Sequence, residues 1–158
     1  MKINTAFNKM KKTILLFTLL LFSKVYSQNT PAYNEKLAKQ LGADEYGMKS
    51  YVMAFLKRGP TPSKDSATSV QLQKAHMNNI QRMANEGKLC VAGPFLEKGE
   101  IRGIYIFNVT TIEEARKLTE TDPLIKSGGL IMELHQWYGS AALQQINTIH
   151  STITKTSF

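Results

Sequence analysis

Four apolar segments typical of β-strands alternate with two helical segments, and their order limits the folds that the chain can adopt. The strands are predicted at residues 51–56, 89–95, 102–109 and 130–138. Apolar residues at helical spacing predict a helix over residues 66–86. A capping box of Thr111 and Glu114 opens a second helix, which ends at about residue 121. The order of the elements is therefore β-α-β-β-α-β.

This order predicts an α+β fold with both helices on one face of the sheet. Crossovers between parallel strands are right-handed, so a βαββαβ chain forms a four-stranded antiparallel sheet of the ferredoxin-like type. Short N- and C-terminal helices are expected outside it, the first of them ending at Gly42. The expected boundaries are a leader with a short helix at 28–47, the main domain at 48–139, and a C-terminal helix and tail at 140–158.

Both faces of the predicted sheet are apolar. The first strand places Tyr51 and Phe55 on one face and Val52 on the other, and the third strand is apolar on both faces as well. A sheet covered by helices on one side only should alternate apolar with polar residues. We therefore expect a second copy of the chain to cover the other face and to give a homodimeric α+β barrel. The C-terminal helix is an alternative cover for part of that face.

The first 27 residues have the pattern of a secretory signal peptide. Four lysines precede a nine-residue apolar run at residues 14–22, and Ser27 stands before the expected mature N-terminus, Gln28. As a helix this run would span roughly 14 Å, against a hydrocarbon core of about 30 Å. We therefore expect an exported protein, periplasmic or secreted, with no membrane anchor after signal cleavage.

The charge balance argues against a nucleic-acid partner. The chain carries a net charge of +8, but five of its lysines lie within residues 1–27, which hold no acidic residue, so the remainder carries +3. Its basic residues are interspersed with acidic ones, whereas nucleic-acid binding needs a clustered basic face.

Cys90 is the only cysteine of the chain, which excludes an intrachain disulfide. Its apolar neighbours predict a buried core residue.

Several short motifs of the chain are shared with a known family. They are a helix histidine, His76; Gly87-Lys88-Leu89 leading to Ala92-Gly93-Pro94; Arg102-Gly103; and Asp122-Pro123 followed by Gly128. Over roughly residues 51–138 the chain resembles the YCII-related (YciI-like) domains of the dimeric α+β barrel group, in a version exported by some bacteria. The resemblance implies that fold, a dimer, and an active site that pairs a histidine with an aspartate, here His76 and Asp122.

His76 and Asp122 are therefore the candidate catalytic residues. His76 shares a helical row with Leu72 and Met83 that is expected to face the sheet, where a buried histidine needs a hydrogen-bond partner. Imidazole changes its charge near neutral pH, so His76 can act as a general acid or base, with Asp122 as the carboxylate that orients it. The alternatives are a structural histidine bonded within the core and an aspartate that only ends a helix.

The last strand adds candidate ligand-binding residues. Its alternation places Glu133, His135 and Trp137 opposite to the apolar row of the same strand, toward the expected dimer cavity. Trp137 can stack on a ligand or serve in packing alone. Arg102, at the start of the third strand, can bind an anionic group or remain solvated.

Three hypotheses about function follow. The leading hypothesis is an exported small-molecule enzyme that uses His76 and Asp122 for acid–base chemistry in the dimer cavity. The alternative is a non-catalytic module of the same fold that binds a small ligand, and a third reading is a purely structural dimer. No metal and no cofactor are expected, because the chain has neither HxxxH spacing nor a GxGxxG, P-loop or GxSxG motif.

Overall fold

The structure, a computed structural model, describes residues 31–156. The expected signal peptide at 1–27 and the expected mature N-terminus, Gln28, lie outside the described residues. The chain separates into two units, residues 1–33 and residues 34–158. The first unit is described only over its last three residues, and every element below belongs to the second. Within the described part of the chain, no helix is long and apolar enough to cross a membrane.

Over residues 34–156, the second unit contains four strands and five helices, with a 3-10 turn between the last strand and the last helix. The strands are β1 (Met48–Arg58), β2 (Leu89–Pro94), β3 (Ile101–Phe107) and β4 (Leu130–Ser140). The helices are α1 (Glu35–Leu41), α2 (Ser66–Asn85), α3 (Ile112–Thr119), α4 (Pro123–Lys126) and α5 (Ile146–Ile153), and the 3-10 turn is Ala141–Gln145. The spatial order of the strands is β2-β3-β1-β4, and neighbouring strands are antiparallel. This confirms the predicted α+β fold with a ferredoxin-like βαββαβ sheet.

The local signals for helix ends act as predicted. The side chain of Asp65 accepts a hydrogen bond from the backbone N–H of Thr68 at 2.6 Å and so caps α2. Thr111 caps α3 in the same way, accepting from the N–H of Glu114 at 3.2 Å. Gly87 follows the C-cap of α2 with φ +67°, a conformation that few residues other than glycine adopt.

Several element boundaries differ from the prediction, and two of the differences have a clear physical cause. Strand β1 extends at both ends beyond residues 51–56, because it pairs with β4 over eleven consecutive positions. The helix predicted over residues 112–121 ends at Thr119, and a separate short helix, α4, starts directly after Asp122. The reason is that Asp122 does not only end a helix. Its side chain caps the next one.

The main core lies between the sheet and the helices. It combines inward residues of β1 and β3, including Val52, Tyr105 and Phe107, with Met83 of α2 and Ala115 of α3. Leu130, Met132 and Leu134 of the apolar row predicted for the last strand pack against this core, as expected, whereas Tyr138, the fourth residue of that row, is 52% exposed. Alternate residues of β4 therefore point to the other face of the sheet.

The second face of the sheet has a smaller core of its own. Tyr51, Cys90 and Ile106 are buried there, and Leu143 of the 3-10 turn packs against them. Asn147 of α5 donates a hydrogen bond from Nδ2 to the backbone carbonyl of Leu89 at 2.7 Å. The C-terminal segment therefore covers one end of this face, which is the alternative that the sequence left open. We call the remainder, which includes Phe55, Ile131 and Glu133, the open face.

Candidate active site

His76 and Asp122 meet between helix α2 and the loop that leads into α4. Nδ1 of His76 lies 2.7 Å from Oδ2 of Asp122, and both side chains are almost completely enclosed, since the two residues are 6% and 0% exposed. A buried histidine and a buried carboxylate each need a partner, and here each supplies the other. The two residues that the family resemblance paired are thus in direct contact.

The sequence around Asp122 explains why its carboxylate lies at this point. Oδ1 of Asp122 accepts a hydrogen bond from the backbone N–H of Leu124 at 2.9 Å, which caps α4. Pro123 occupies the first position of the helix, where a missing N–H costs nothing. One oxygen therefore fixes the helix, and the other oxygen remains available for His76.

A third residue, Tyr105 of β3, completes the site. Its hydroxyl lies 3.3 Å from Nε2 of His76, and the two rings are stacked with centroids 6.3 Å apart. Burial raises the pKa of the Tyr105 phenol strongly, and the negative charge of Asp122 raises it further. The hydroxyl therefore stays protonated and can donate a hydrogen bond.

These contacts determine the hydrogen-bonding roles of the imidazole. An ionised Asp122 can only accept, so Nδ1 of His76 carries the proton that lies between the two side chains. When the ring is neutral, Nε2 is then the acceptor and receives the hydroxyl proton of Tyr105. A carboxylate that orients one ring nitrogen while the other keeps its lone pair is the arrangement of a general base.

The sequence did not single out Tyr105 as a functional residue. It lies in a strand rich in aromatic and β-branched residues, where a tyrosine reads as packing. The available signal was its position on the same side of β3 as Phe107, facing the helices. A phenolic hydroxyl on that side requires a polar partner, and the partner is His76.

A second polar group lies on the open face of the sheet. Nε2 of His135 lies 2.8 Å from Oε1 of Glu133, and Nζ of Lys57 lies 2.6 Å from Oε2 of the same carboxylate. The hydrogen bonds from Lys57 and then from His135 hold the pKa of Glu133 below its usual range. The ring of His135 also meets Phe55 edge-on, with centroids 5.6 Å apart.

The other two candidate residues lie apart from the dyad. Trp137 packs against Tyr51, with ring centroids 6.0 Å apart, and contributes to the core of the second face. Arg102 is exposed near the start of β3. Among residues 31–156, no hydrogen bond joins either residue to His76 or Asp122.

The candidate residues therefore do not share one cavity. His76 and Asp122 lie on the helix side of the sheet, whereas Glu133, His135 and Trp137 lie on the other side. The sequence predicts that His76 and Asp122 act within a cavity between the two sheets of a dimer. The structure instead places both residues between the sheet and its helices. The reason is that Tyr105, against which His76 stacks, points toward the helices.

No group of three or more His, Cys, Asp or Glu side chains in residues 31–156 is arranged to hold a metal ion.

A cavity of about 210 Å³ lies under the C-terminal segment and is lined mainly by side-chain amides, together with Leu41, Leu89 and Cys90. Burial raises the pKa of the Cys90 thiol to about 11, so the thiol stays protonated near neutral pH.

Comparison with known proteins bears directly on this site. A family model for the YCII-related domain matches residues 51–137, which is more than half of the chain. The chain belongs to the YCII-related domain family. The matched segment of the YCII-related domain contains His76, Tyr105 and Asp122, and the sequence resemblance is confirmed. No curated protein matches the chain.

One solved structure that the chain resembles is 5-chloro-2-hydroxyhydroquinone dehydrochlorinase from Burkholderia phenoliruptrix AC1100, in complex with 2,5-dihydroxybenzoquinone. The identity is 18% and the TM-score is 0.42. The alignment covers 56% of this chain and 93% of the dehydrochlorinase chain. A likeness at this level assigns neither an activity nor a substrate to the YCII-related domain described here.

Proposed function

We propose that this protein is an exported, homodimeric enzyme that performs acid–base chemistry on a small organic molecule, with His76 as the base and Asp122 as the group that orients it. The observation that carries the proposal is the 2.7 Å contact between His76 Nδ1 and Asp122 Oδ2, which leaves Nε2 as an acceptor. A buried acceptor nitrogen backed by a carboxylate suits the removal of a proton from a bound substrate.

The proposed step uses three side chains. Nε2 of His76 takes a proton from the substrate, and the positive charge that develops on the imidazole is stabilised by the carboxylate of Asp122. The hydroxyl of Tyr105, at 3.3 Å from Nε2, lies beyond the usual range for a hydroxyl donor. A substrate hydroxyl or acidic C–H can therefore compete with the Tyr105 hydroxyl for Nε2.

The test begins with native mass spectrometry of the protein purified from its own host, to identify a molecule that co-purifies. Turnover of that molecule is then compared between the unmodified protein, His76→Gln, Asp122→Asn and the double variant. Loss of the base should lower the rate by about 10²- to 10⁴-fold. The double variant should be scarcely slower than His76→Gln, because the two residues act as a unit.

His150→Gln is the matched control for this experiment. His150 is an exposed histidine of α5, so its replacement should leave turnover unchanged. Equal rates for His76→Gln and the unmodified protein would contradict the proposal, and His76 would then be a structural histidine.

The open face supports the homodimer. Ile131 is 47% exposed there, and Met53 and Phe55 of β1 are only half-buried in the single chain. Apolar side chains on the uncovered face of a sheet are typical of an interface, and a second copy of the same face is the simplest cover. Light scattering should therefore give the mass of a dimer.

A charge on this face should separate the two copies. Phe55→Lys is expected to give a folded monomer or an unfolded chain, whereas Val70→Lys should leave the dimer intact. Val70 lies on α2 and is 70% exposed, so it offers a matched apolar position away from the sheet. A monomer for the unmodified protein would remove the homodimer from the proposal.

Export rests on the sequence of residues 1–27, with its lysines, its apolar run and Ser27 before the cleavage point. Mass analysis of the protein from the periplasm or medium of its host should give an N-terminus at Gln28. Retention of Met1 or Met10 would contradict export.

A ligand-binding module without catalysis is the second candidate. The observation that favours it is the group of Lys57, Glu133 and His135 beside Phe55, because charged and aromatic side chains meet there on an open surface. If the co-purifying molecule is unchanged by the protein and its binding is lost in Glu133→Gln but kept in His76→Gln, this candidate replaces the enzyme.

A further inference from the structure

Asn79 of α2 presents a buried hydrogen-bond donor that the fold does not use. The residue is 8% exposed, and its Nδ2 atom has no hydrogen-bond partner within residues 31–156. Buried polar groups in folded proteins are almost always paired, because an unpaired donor has lost its bonds to water and gained nothing in return. Such a donor beside a candidate active site requires a physical reason.

The neighbours of Asn79 fix the orientation of its amide. Oδ1 accepts a hydrogen bond from Nη2 of Arg82 at 2.9 Å, and the hydroxyl of Thr121 lies 3.1 Å from the same oxygen. The reverse orientation would set the NH₂ group against the guanidinium, donor against donor, so it is excluded. The NH₂ group is therefore the end without a partner.

This donor lies next to the dyad. Asn79 follows His76 by three residues, and positions three apart share one face of a helix, with their Cβ atoms about 5–6 Å from each other. On its other side, the amide oxygen lies beside the hydroxyl of Thr121, the residue directly before Asp122. Asn79 therefore lies near both members of the His76–Asp122 pair.

The surrounding charges strengthen the donor. Nη2 of Arg82 bonds to the amide oxygen of Asn79, while Nη1 is held at 2.7 Å by Glu86. A cation on the oxygen draws electron density from the amide and makes its N–H groups better donors. The fold therefore holds in place a polarised donor that is suited to an acceptor oxygen.

We propose that Nδ2 of Asn79 donates a hydrogen bond to an oxygen of the molecule bound at His76 and Asp122. The ligand class is a small organic molecule that carries a carbonyl or carboxylate oxygen. Asn79 would position that oxygen while Nε2 of His76 faces the proton to be moved. This inference rests on the proposed function of the His76–Asp122 site and adds the group that the site recognises.

Nuclear magnetic resonance titration of the full protein tests the assignment with two probes, sodium acetate as a carboxylate and acetamide as a neutral carbonyl. The side-chain amide signal of Asn79 should shift with at least one of them, and the probe that acts identifies the kind of oxygen. Asn78 is the internal control, because it is the exposed neighbour on the same helix and its amide signal should not move.

Two variants separate the donor from the fold. Asn79→Asp keeps an acceptor oxygen for Arg82 and Thr121 but has no N–H, and Asn79→Leu removes the amide without adding charge. Each should weaken binding of the active probe by about tenfold or more, whereas Asn78→Asp should not. Unchanged binding in both Asn79 variants would overturn the inference.

The inference and the proposed function can fail separately. If the probes move the ring signals of His76 but not the amide of Asn79, the inference is wrong and the site remains a candidate. If the Asn79 amide responds while His76→Gln keeps full turnover of the natural molecule, the donor is real and the catalytic proposal is wrong. If neither group responds to either probe, the inference is overturned.

Discussion

Asp122 binds His76 through one carboxylate oxygen and caps helix α4 through the other. The distances are 2.7 Å from Oδ2 to Nδ1 of His76 and 2.9 Å from Oδ1 to the N–H of Leu124. The orientation of the imidazole and the start of α4 therefore depend on a single buried side chain, and a change at this position acts on both.

Asp122→Asn should lower the free energy of unfolding by about 2–3 kcal/mol, because it replaces a buried, charge-assisted hydrogen bond by a neutral one. The loss can be measured by urea denaturation. Asp65→Asn is the matched control, since Asp65 caps α2 through Thr68 and is exposed. Asparagine caps a helix as well as aspartate does, so this variant should stay within about 0.5 kcal/mol of the unmodified protein. Equal losses in the two variants would mean that the bond to His76 adds nothing beyond the cap.

Tyr105→Phe should cost about 1 kcal/mol of stability, since it removes the hydroxyl that bonds to His76 and keeps the ring against Phe107. It should also change the ring signals of His76 in nuclear magnetic resonance spectra. Tyr51→Phe should cost a similar amount, because the hydroxyl of Tyr51 donates to the carbonyl of Ser140 at 3.0 Å. Tyr51 lies on the other face of the sheet, so this variant should leave His76 unaffected. Identical His76 signals in all three proteins would contradict the contact.

Ionisation of Cys90 should lower the free energy of unfolding at alkaline pH. Burial raises the pKa of its thiol from 9.0 to about 11, while the nearby ammonium of Lys49 acts in the opposite direction. Below about pH 9 the thiol is protonated in both the folded and the unfolded chain. Between about pH 9 and pH 11 only the unfolded chain loses the proton, so the free energy of unfolding falls as the pH rises. Denaturation midpoints at several pH values should show a smaller fall for Cys90→Ala. An unchanged slope in this variant would rule out Cys90 as the cause.

Gly59→Ala should destabilise the connection between β1 and the loop after α4. A Cβ atom at residue 59 would collide with the backbone carbonyl of Gly128, and the N–H of Gly59 bonds to the carbonyl of Gly129 at 2.9 Å. Overpacking of this kind costs about 1–3 kcal/mol. Gly93→Ala, in β2, is the comparison, because an added Cβ there meets nothing within 4 Å. The close approach would be refuted if both alanine variants denatured at the same urea concentration.

The fold was largely predictable because several helix ends carry a local signal. Asp65, Gly87 and Thr111 act at the helix ends by bonds within a few residues, which is the range that sequence patterns report. The full lengths of β1 and β4 were not predictable from their own composition. Their outer residues are strand only because each pairs with the other.

The site was predictable only in part. The helical row placed His76 toward the sheet, and its pairing with Asp122 came from the family resemblance. Tyr105 and Asn79 were not predicted as site residues. A tyrosine in a strand is typical of core packing, and an asparagine in a helix is typical of a solvent-exposed position. Their roles depend on which groups the fold brings beside His76, and no local pattern encodes that.

The most direct test of the account is the protonation of the two ring nitrogens of His76, read from long-range ¹H–¹⁵N correlation spectra at neutral pH. In the proposed site, Asp122 holds the proton on Nδ1 and leaves Nε2 as the acceptor. The predicted result is that the neutral form of the ring carries its proton on Nδ1 and that this proton moves to Nε2 in Asp122→Asn. A ring that carries its proton on Nε2 in the unmodified protein, or that is unchanged in Asp122→Asn, would contradict the account.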